Sequence, residues 1–358
     1  MNYNPNNELM KRKHEEFLKE TRGYSRDTIK FRRRVLDKYD AFTNHENYAK
    51  FNKDKAISFK DYLKKNSKSI SSFVNYMKEL KKFFFWLSEQ RGYKLKITKE
   101  LVEYLNVLNE YKAIAKSRPP RKYPNIEYVL NLTKSIKVRN EVDMRGRSII
   151  AMLCLTGIRY AALLTIPIKC FDRKNLIVHQ DPNVKTKLKK QIISKLFNFN
   201  DELVNYVLEW VDYLKQKGFV RDDPLFPCSK NNKSKHQLCF EESTEVEAKF
   251  WTGSGSIRNI LKRRVKEAGV EYFQPHTYRH LAIELAMSKA KSGEEIKAIS
   301  QNFGHEKIPT TFRVYGNYQS EDLIKKLNEI DKRSSSPTMV PSDKKLEKML
   351  KTIKSNNE

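Results

Sequence analysis

Four side chains between residues 275 and 318 are of the types needed to attack and hold a phosphodiester: His276, Arg279, His305 and Tyr315. The stretch reads PHTYRHLAIELAMSKAKSGEEIKAISQNFGHEKIPTTFRVYGNY, with no glycine-rich phosphate loop and no paired carboxylates. His276 and Arg279 are three apart at an expected helix start, so they project from one face. Gly304-His305 closes the next expected helix, and Pro309-Thr310-Thr311 opens another that carries Tyr315. A phenol is a weak nucleophile until its proton has somewhere to go, and a guanidinium offers phosphate a planar fork. The chemistry these groups suit is tyrosine attack on a phosphodiester whose charge is held by cations.

The elements that must position them belong to a 358-residue chain with a formal net charge of +28. Both parts share the excess: residues 1–118 carry net +13 and residues 119–358 net +15. A clamp gripping a polyanion from two sides needs that distribution, and double-stranded DNA is the expected partner. A hydrophobic fraction of 39% excludes global disorder. No apolar run approaches the roughly 20 residues that span a bilayer, and the start, MNYNPNNELMKRKHEE, lacks the apolar core of a secretory signal. Cys154, Cys170, Cys228 and Cys239 are scattered, which fits a reduced, cytoplasmic setting. Cys228, His236 and Cys239 lack the close cysteine pair of a structural zinc site, so no metal or other cofactor is expected.

Periodicity divides the chain. Residues 1–19 are polar and read as a flexible N-terminus. Residues 20–115 read as an all-helical domain, with helices over 25–42, 56–65, 69–90 and 99–115. In the third, Phe73, Met77, Leu80, Phe84 and Leu87 form one apolar stripe, and Phe83 to Trp86 read as core rather than as a stacking platform. The proline-rich segment KSRPPRKYP, 116–124, is a linker suited to lie along DNA. A mixed α/β domain follows over 125–333, with helices at 125–137, 140–155, 201–217 and 255–268. Two short strands, 176–179 and 191–199, flank a basic hairpin tip, DPNVKTKLKK. Residues 334–358 read as a spacer and an amphipathic helix, 342–353, that needs a groove on its own domain or a neighbour's. The fold class is thus mainly α with a small β-sheet. Candidate phosphate contacts are Arg32, Arg33, Arg34, Lys78, Lys81, Lys82, Arg118, Arg121, Lys185, Lys262, Arg263 and Arg264, each otherwise an ordinary solvated charge.

Placed in order, LTGIR ending at Arg159, Thr186-Lys187 in the hairpin, His276-x-x-Arg279, Gly304-His305 and Tyr315 resemble the tyrosine recombinase (phage integrase) family over about residues 20–330. Each motif is weak alone; six residues of catalytic type in family order are not. The resemblance implies a SAM-like helical core-binding domain joined to a catalytic domain as a DNA clamp. It implies cofactor-free breaking and rejoining of DNA, and a homotetramer on two DNA sites that exchanges C-terminal helices, acting at the nucleoid. Tyr315 would be the nucleophile, with Tyr318 its rival three residues on. His276 would be the acid/base, Arg159 and Arg279 the phosphate holders, and His305 a further donor to the phosphate. Lys187 would protonate the leaving oxygen, although Lys185, Lys189 and Lys190 share its hairpin. His280 reads as structural. Many family members carry an acidic residue three positions after the first arginine; here it is Ala162. The competing expectations are a type IB topoisomerase-like relaxing enzyme and an inactive DNA-binding relative.

Overall fold

The computed structural model describes residues 3–117, 122–181, 184, 191–230, 243–253 and 255–304. They belong to two compact units, Met1–Arg121 and Lys122–Glu358. Lys185, Lys187, Lys189, Lys190, Arg118, Arg121, His236, Cys239, His305, Tyr315, Tyr318 and the segment 334–358 lie outside the described residues.

The first unit is helical: α1 (Pro5–Glu20), α2 (Arg26–Phe42), α3 (Lys53–Asn66), α4 (Ile70–Leu87), α5 (Lys99–Glu103) and α6 (Asn109–Lys116). Its apolar centre is the α4 stripe, where Phe73, Met77, Leu80, Phe84 and Leu87 are all 1% exposed or less. Ser25, Asn52, Ser69 and Thr98 accept from backbone N–H groups as N-caps, which fixes four of the helix starts.

Three expectations are corrected here. The N-terminus expected to be flexible is helix α1, packed on α2 and α4 through Asn7, Met10, Lys11, His14 and Leu18. Its buried face is mostly polar, through Asn7, Lys11 and His14, so hydrophobic periodicity does not reveal it. The single helix expected over 99–115 is two, because Leu105 and Val107 both enter the core. Residues two apart lie on opposite sides of a helix, so the chain leaves helical geometry there. The aromatic run splits as well: Phe83 and Phe84 are core, while Phe85 is 41% exposed and Trp86 half-buried.

The second unit is built around α8 (Glu141–Thr156), whose side chains are buried on nearly every side. Around it pack α7 (Ile126–Ser135), α10 (Asp201–Gln216), α11 (Gly255–Ala268) and α12 (Pro275–Lys289). Helices α9 (Tyr160–Leu163) and α13 (Gly293–Asn302) are shorter. A three-stranded antiparallel sheet runs β1 (Phe171–Asp172), β2 (Ile177–Gln180), β3 (Ile192–Lys195), with Val178 opposite Ser194 and Gln180 opposite Ile192. Strands β4 (Cys228–Ser229) and β5 (Val246–Glu247) form a second small sheet. The architecture is mainly helical with small antiparallel sheets, as expected.

Candidate active site

Helix α8 ends in the LTGIR string. Thr156 donates its hydroxyl to Met152 O (2.6 Å) and accepts from Ile158 N (3.2 Å), which tightens the turn. Gly157 takes the left-handed conformation at φ +55°, and a Cβ there would lie 2.5 Å from the Phe303 ring and 3.0 Å from Ala282. Only glycine meets both demands. Ile158 anchors in the core at 2% exposure, and Arg159 follows at the start of α9.

Helix α12 begins at Pro275, which suits a first-turn position that needs no N–H donor. In that turn His276 is exposed, whereas Arg279 is 4% exposed. The Arg279 guanidinium donates to Gly157 O at 2.7 Å and to Phe303 O, and lies 5.4 Å from the Phe303 ring centroid. One side chain therefore joins the LTGIR turn, the H-x-x-R helix and the end of α13.

That end is also tied to the sheet. Ser194 donates to Asn302 O (3.2 Å), and Lys195 N donates to the Asn302 side-chain oxygen (2.5 Å). Gly304, at φ +63°, approaches Ile192 so closely that a Cβ would meet its side chain at 2.6 Å. Ile192 opens β3, at the root of the hairpin that carries Lys187 in sequence. The residue before His305 and the base of the lysine hairpin are thus in contact.

The charges are arranged unevenly. Burial alone lowers the Arg159 pKa, and its guanidinium has no ion pair or hydrogen bond among the described residues. Other buried cations have partners: Arg145 donates to Pro227 O at 2.8 Å and to Ser229 Oγ at 2.9 Å. Arg264 meets Asp143 at 2.6 Å, and Arg32 meets Glu79 at 2.7 Å. Burial would lower the Lys11 pKa, but bonds to Asp37, Asp40 and Glu8 outweigh it and raise it. Those three carboxylates have spacing that could hold a metal, yet the Lys11 ammonium bonds to all of them. Arg159 is a desolvated cation that these carboxylates do not serve, the arrangement an anionic ligand would complete. Ala162, three positions after Arg159, is fully buried.

The segment matching the phage integrase family model runs from residue 125 to 321, more than half of the chain. The chain belongs to the phage integrase family. Within this tyrosine recombinase family, the chain is 23% identical over 225 residues to the tyrosine recombinase XerC of Lactobacillus leichmannii, covering 59% of this chain and 64% of that one. It thus spans less than two thirds of the length of the curated relatives it matches. In fold it is similar to the XerH site-specific recombinase bound to difH, at a TM-score of 0.58 and 16% identity, covering 89% and 84% of the two chains. It is also similar to a lambda integrase (75–356) dimer bound to a COC′ core site, at 0.55 and 12%, covering 94% and 99%.

The expected phosphate contacts now separate. Arg264 is 3% exposed and bound to Asp143, Glu267 and Val142 O, so its role is corrected from contact to interior support. Arg32 is 8% exposed, paired with Glu79 and set over the Tyr24 ring at 4.2 Å. Arg33 is held by Glu8, Glu15 and Asp37, Lys81 by Glu103, Lys82 by Glu79 and Arg263 by Glu267. Arg34, Lys78 and Lys262 are exposed. Lys78, Lys81 and Lys82 share a groove of about 860 Å³ on the first unit with Phe17 and Trp86. Arg22, Lys112 and Lys116 line it too and were not anticipated, because no local pattern brings α6 beside the end of α1. No helix among the described residues is long and apolar enough to cross a membrane.

Proposed function

We propose that this chain is a site-specific DNA recombinase that cuts and rejoins strands through a covalent 3′-phosphotyrosyl intermediate. Tyr315 attacks the scissile phosphorus, the bond to the 5′-oxygen breaks, and Lys187 protonates that oxygen as it leaves. His276 takes the phenolic proton. Arg159, Arg279 and His305 hold the non-bridging oxygens, where negative charge grows in the transition state. A 5′-hydroxyl from the partner duplex reverses the step and completes the exchange. The protein grips double-stranded DNA with both units and works as a tetramer, with residues 342–353 docking on a neighbour. The reaction so written draws on neither a metal ion nor ATP.

The observation that carries this reading is the Arg279 junction. A buried cation bonded to the Gly157 and Phe303 carbonyls ties the segment before Arg159 to the segment before His305. The DNA held by XerH and by lambda integrase in structures of similar fold supports the same substrate here.

The test is a nicked suicide duplex containing the target site. The wild-type chain should form a covalent protein–DNA adduct in EDTA, with the DNA-linked peptide carrying the modification on Tyr315, and Tyr315→Phe should form none. An adduct on Tyr318, or undiminished cleavage by Tyr315→Phe, overturns the assignment. Relaxed plasmid without recombinant product from paired sites would overturn strand exchange while leaving the cleavage chemistry.

A further inference from the structure

The geometry points to His280 as a positioning residue that sets the attitude of the His276 imidazole, with Tyr123 as its backstop. The inference rests on the reading of His276 as the acid/base. His276, His280 and Glu284 recur every four residues on α12, so they form one stripe. His276 is exposed in the first turn of the helix. His280 is 9% exposed, and its ring centroid lies 5.2 Å from that of His276 with the planes at 81°. This edge-to-face contact limits the rotation of the exposed ring.

His280 is itself held from outside its helix. Tyr123, in the coil that leads into α7, stacks on it at 6.1 Å with the planes at 28°. Burial first, then the nearby Glu284 carboxylate, push the pKa of the Tyr123 phenol up to about 12. The order of support runs from Tyr123 to His280 to His276. Proton transfer needs a donor and acceptor at hydrogen-bond range and correct angle, and a misplacement of about 1 Å can cost about a hundredfold in rate. His280 acts through His276 and not on the phosphate.

The test uses the full chain and single-turnover cleavage of the suicide duplex, with DNA affinity measured in parallel. His280→Ala should slow cleavage by about 10- to 100-fold at unchanged affinity. His280→Phe, which keeps a ring between Tyr123 and His276, should recover most of the rate. The double variant His276→Ala/His280→Ala should be no slower than His276→Ala, since one residue acts through the other. The ¹⁵N imidazole signals of His276 in DNA-free protein should change tautomer balance in His280→Ala and not in His280→Phe. Should His280→Ala melt below the assay temperature, Tyr123→Leu carries the same expectation with α12 intact. Additive losses in the double variant, or His276 signals indifferent to His280, overturn the inference. Normal cleavage by His276→Ala instead overturns the acid/base reading beneath it, so the two failures are distinguishable.

Discussion

At the scale of single residues, Gly157 is constrained twice, by its positive φ and by the Phe303 ring that would meet any Cβ. Gly157→Ala should cost about 2–4 kcal/mol from strained backbone and overpacking together, read as a lowered urea midpoint. It should also reduce cleavage, because Arg159 lies two residues on. Arg264 shows the opposite fate of a motif-like residue. The run Lys262-Arg263-Arg264 reads as a basic patch, yet helical phase turns the last of them inward to Asp143, 121 positions away in the chain. Asp143→Ala should therefore cost about 1.5–3 kcal/mol, because Arg264 loses its buried carboxylate and keeps Glu267 and the Val142 carbonyl. Lys82→Ala, at an exposed pair with Glu79, should stay within about 1 kcal/mol. The helix start that carries His276 and Arg279 was legible because its signals are local, and the burial of Arg264 was not because its partner is distant in the chain.

At the scale of elements, the α4 stripe, the cap residues and the Gly157 stop are written in local sequence, and the helices they define were expected near where they stand. Helix α1 was not legible. Its inner face carries Asn7, Lys11 and His14, which become interior groups only when Asp40, Glu46 O and Tyr48 N arrive from elsewhere to bond Asn7, and when carboxylates gather round Lys11. His14 gives this packing a pH signature. Burial first, then nearby Arg32, lower its pKa from 6.5 to about 4. As pH falls below 6.5 the unfolded chain takes up a proton that the folded chain refuses until about pH 4. The contribution is complete above pH 6.5 and is lost progressively between 6.5 and 4, on the order of 3 kcal/mol. Urea unfolding across that interval should show a shallower dependence on pH, by about one proton, in His14→Phe than in the wild type.

At the scale of the whole molecule, the +28 charge is less available than its size implies, since many of the cations are occupied by carboxylates. Lys78, Lys112 and Lys116 line the groove and form no ion pair among the described residues, so they are among the cations positioned to replace counterions on a polyanion. Neutralising all three should weaken binding to duplex DNA without regard to sequence. The slope of log affinity against log salt should fall by up to about 0.9 for each, measured by fluorescence anisotropy over a salt series. Neutralising Arg33, already held by three carboxylates, should leave that slope nearly unchanged. Composition points to the proposed polyanion partner, whereas which cations are unpaired depends on pairings that only the folded chain discloses.

The arginine that bridges the two carbonyls also bears on how an inert version of this protein should be made. In the proposed mechanism Arg279 is a phosphate holder, and replacing it would also unfasten the turn at Gly157 from the helix end at Phe303. A laboratory wanting a dead but well-formed reference should alter the proposed nucleophile, Tyr315, and should treat any Arg279 variant as a damaged scaffold until its melting curve says otherwise.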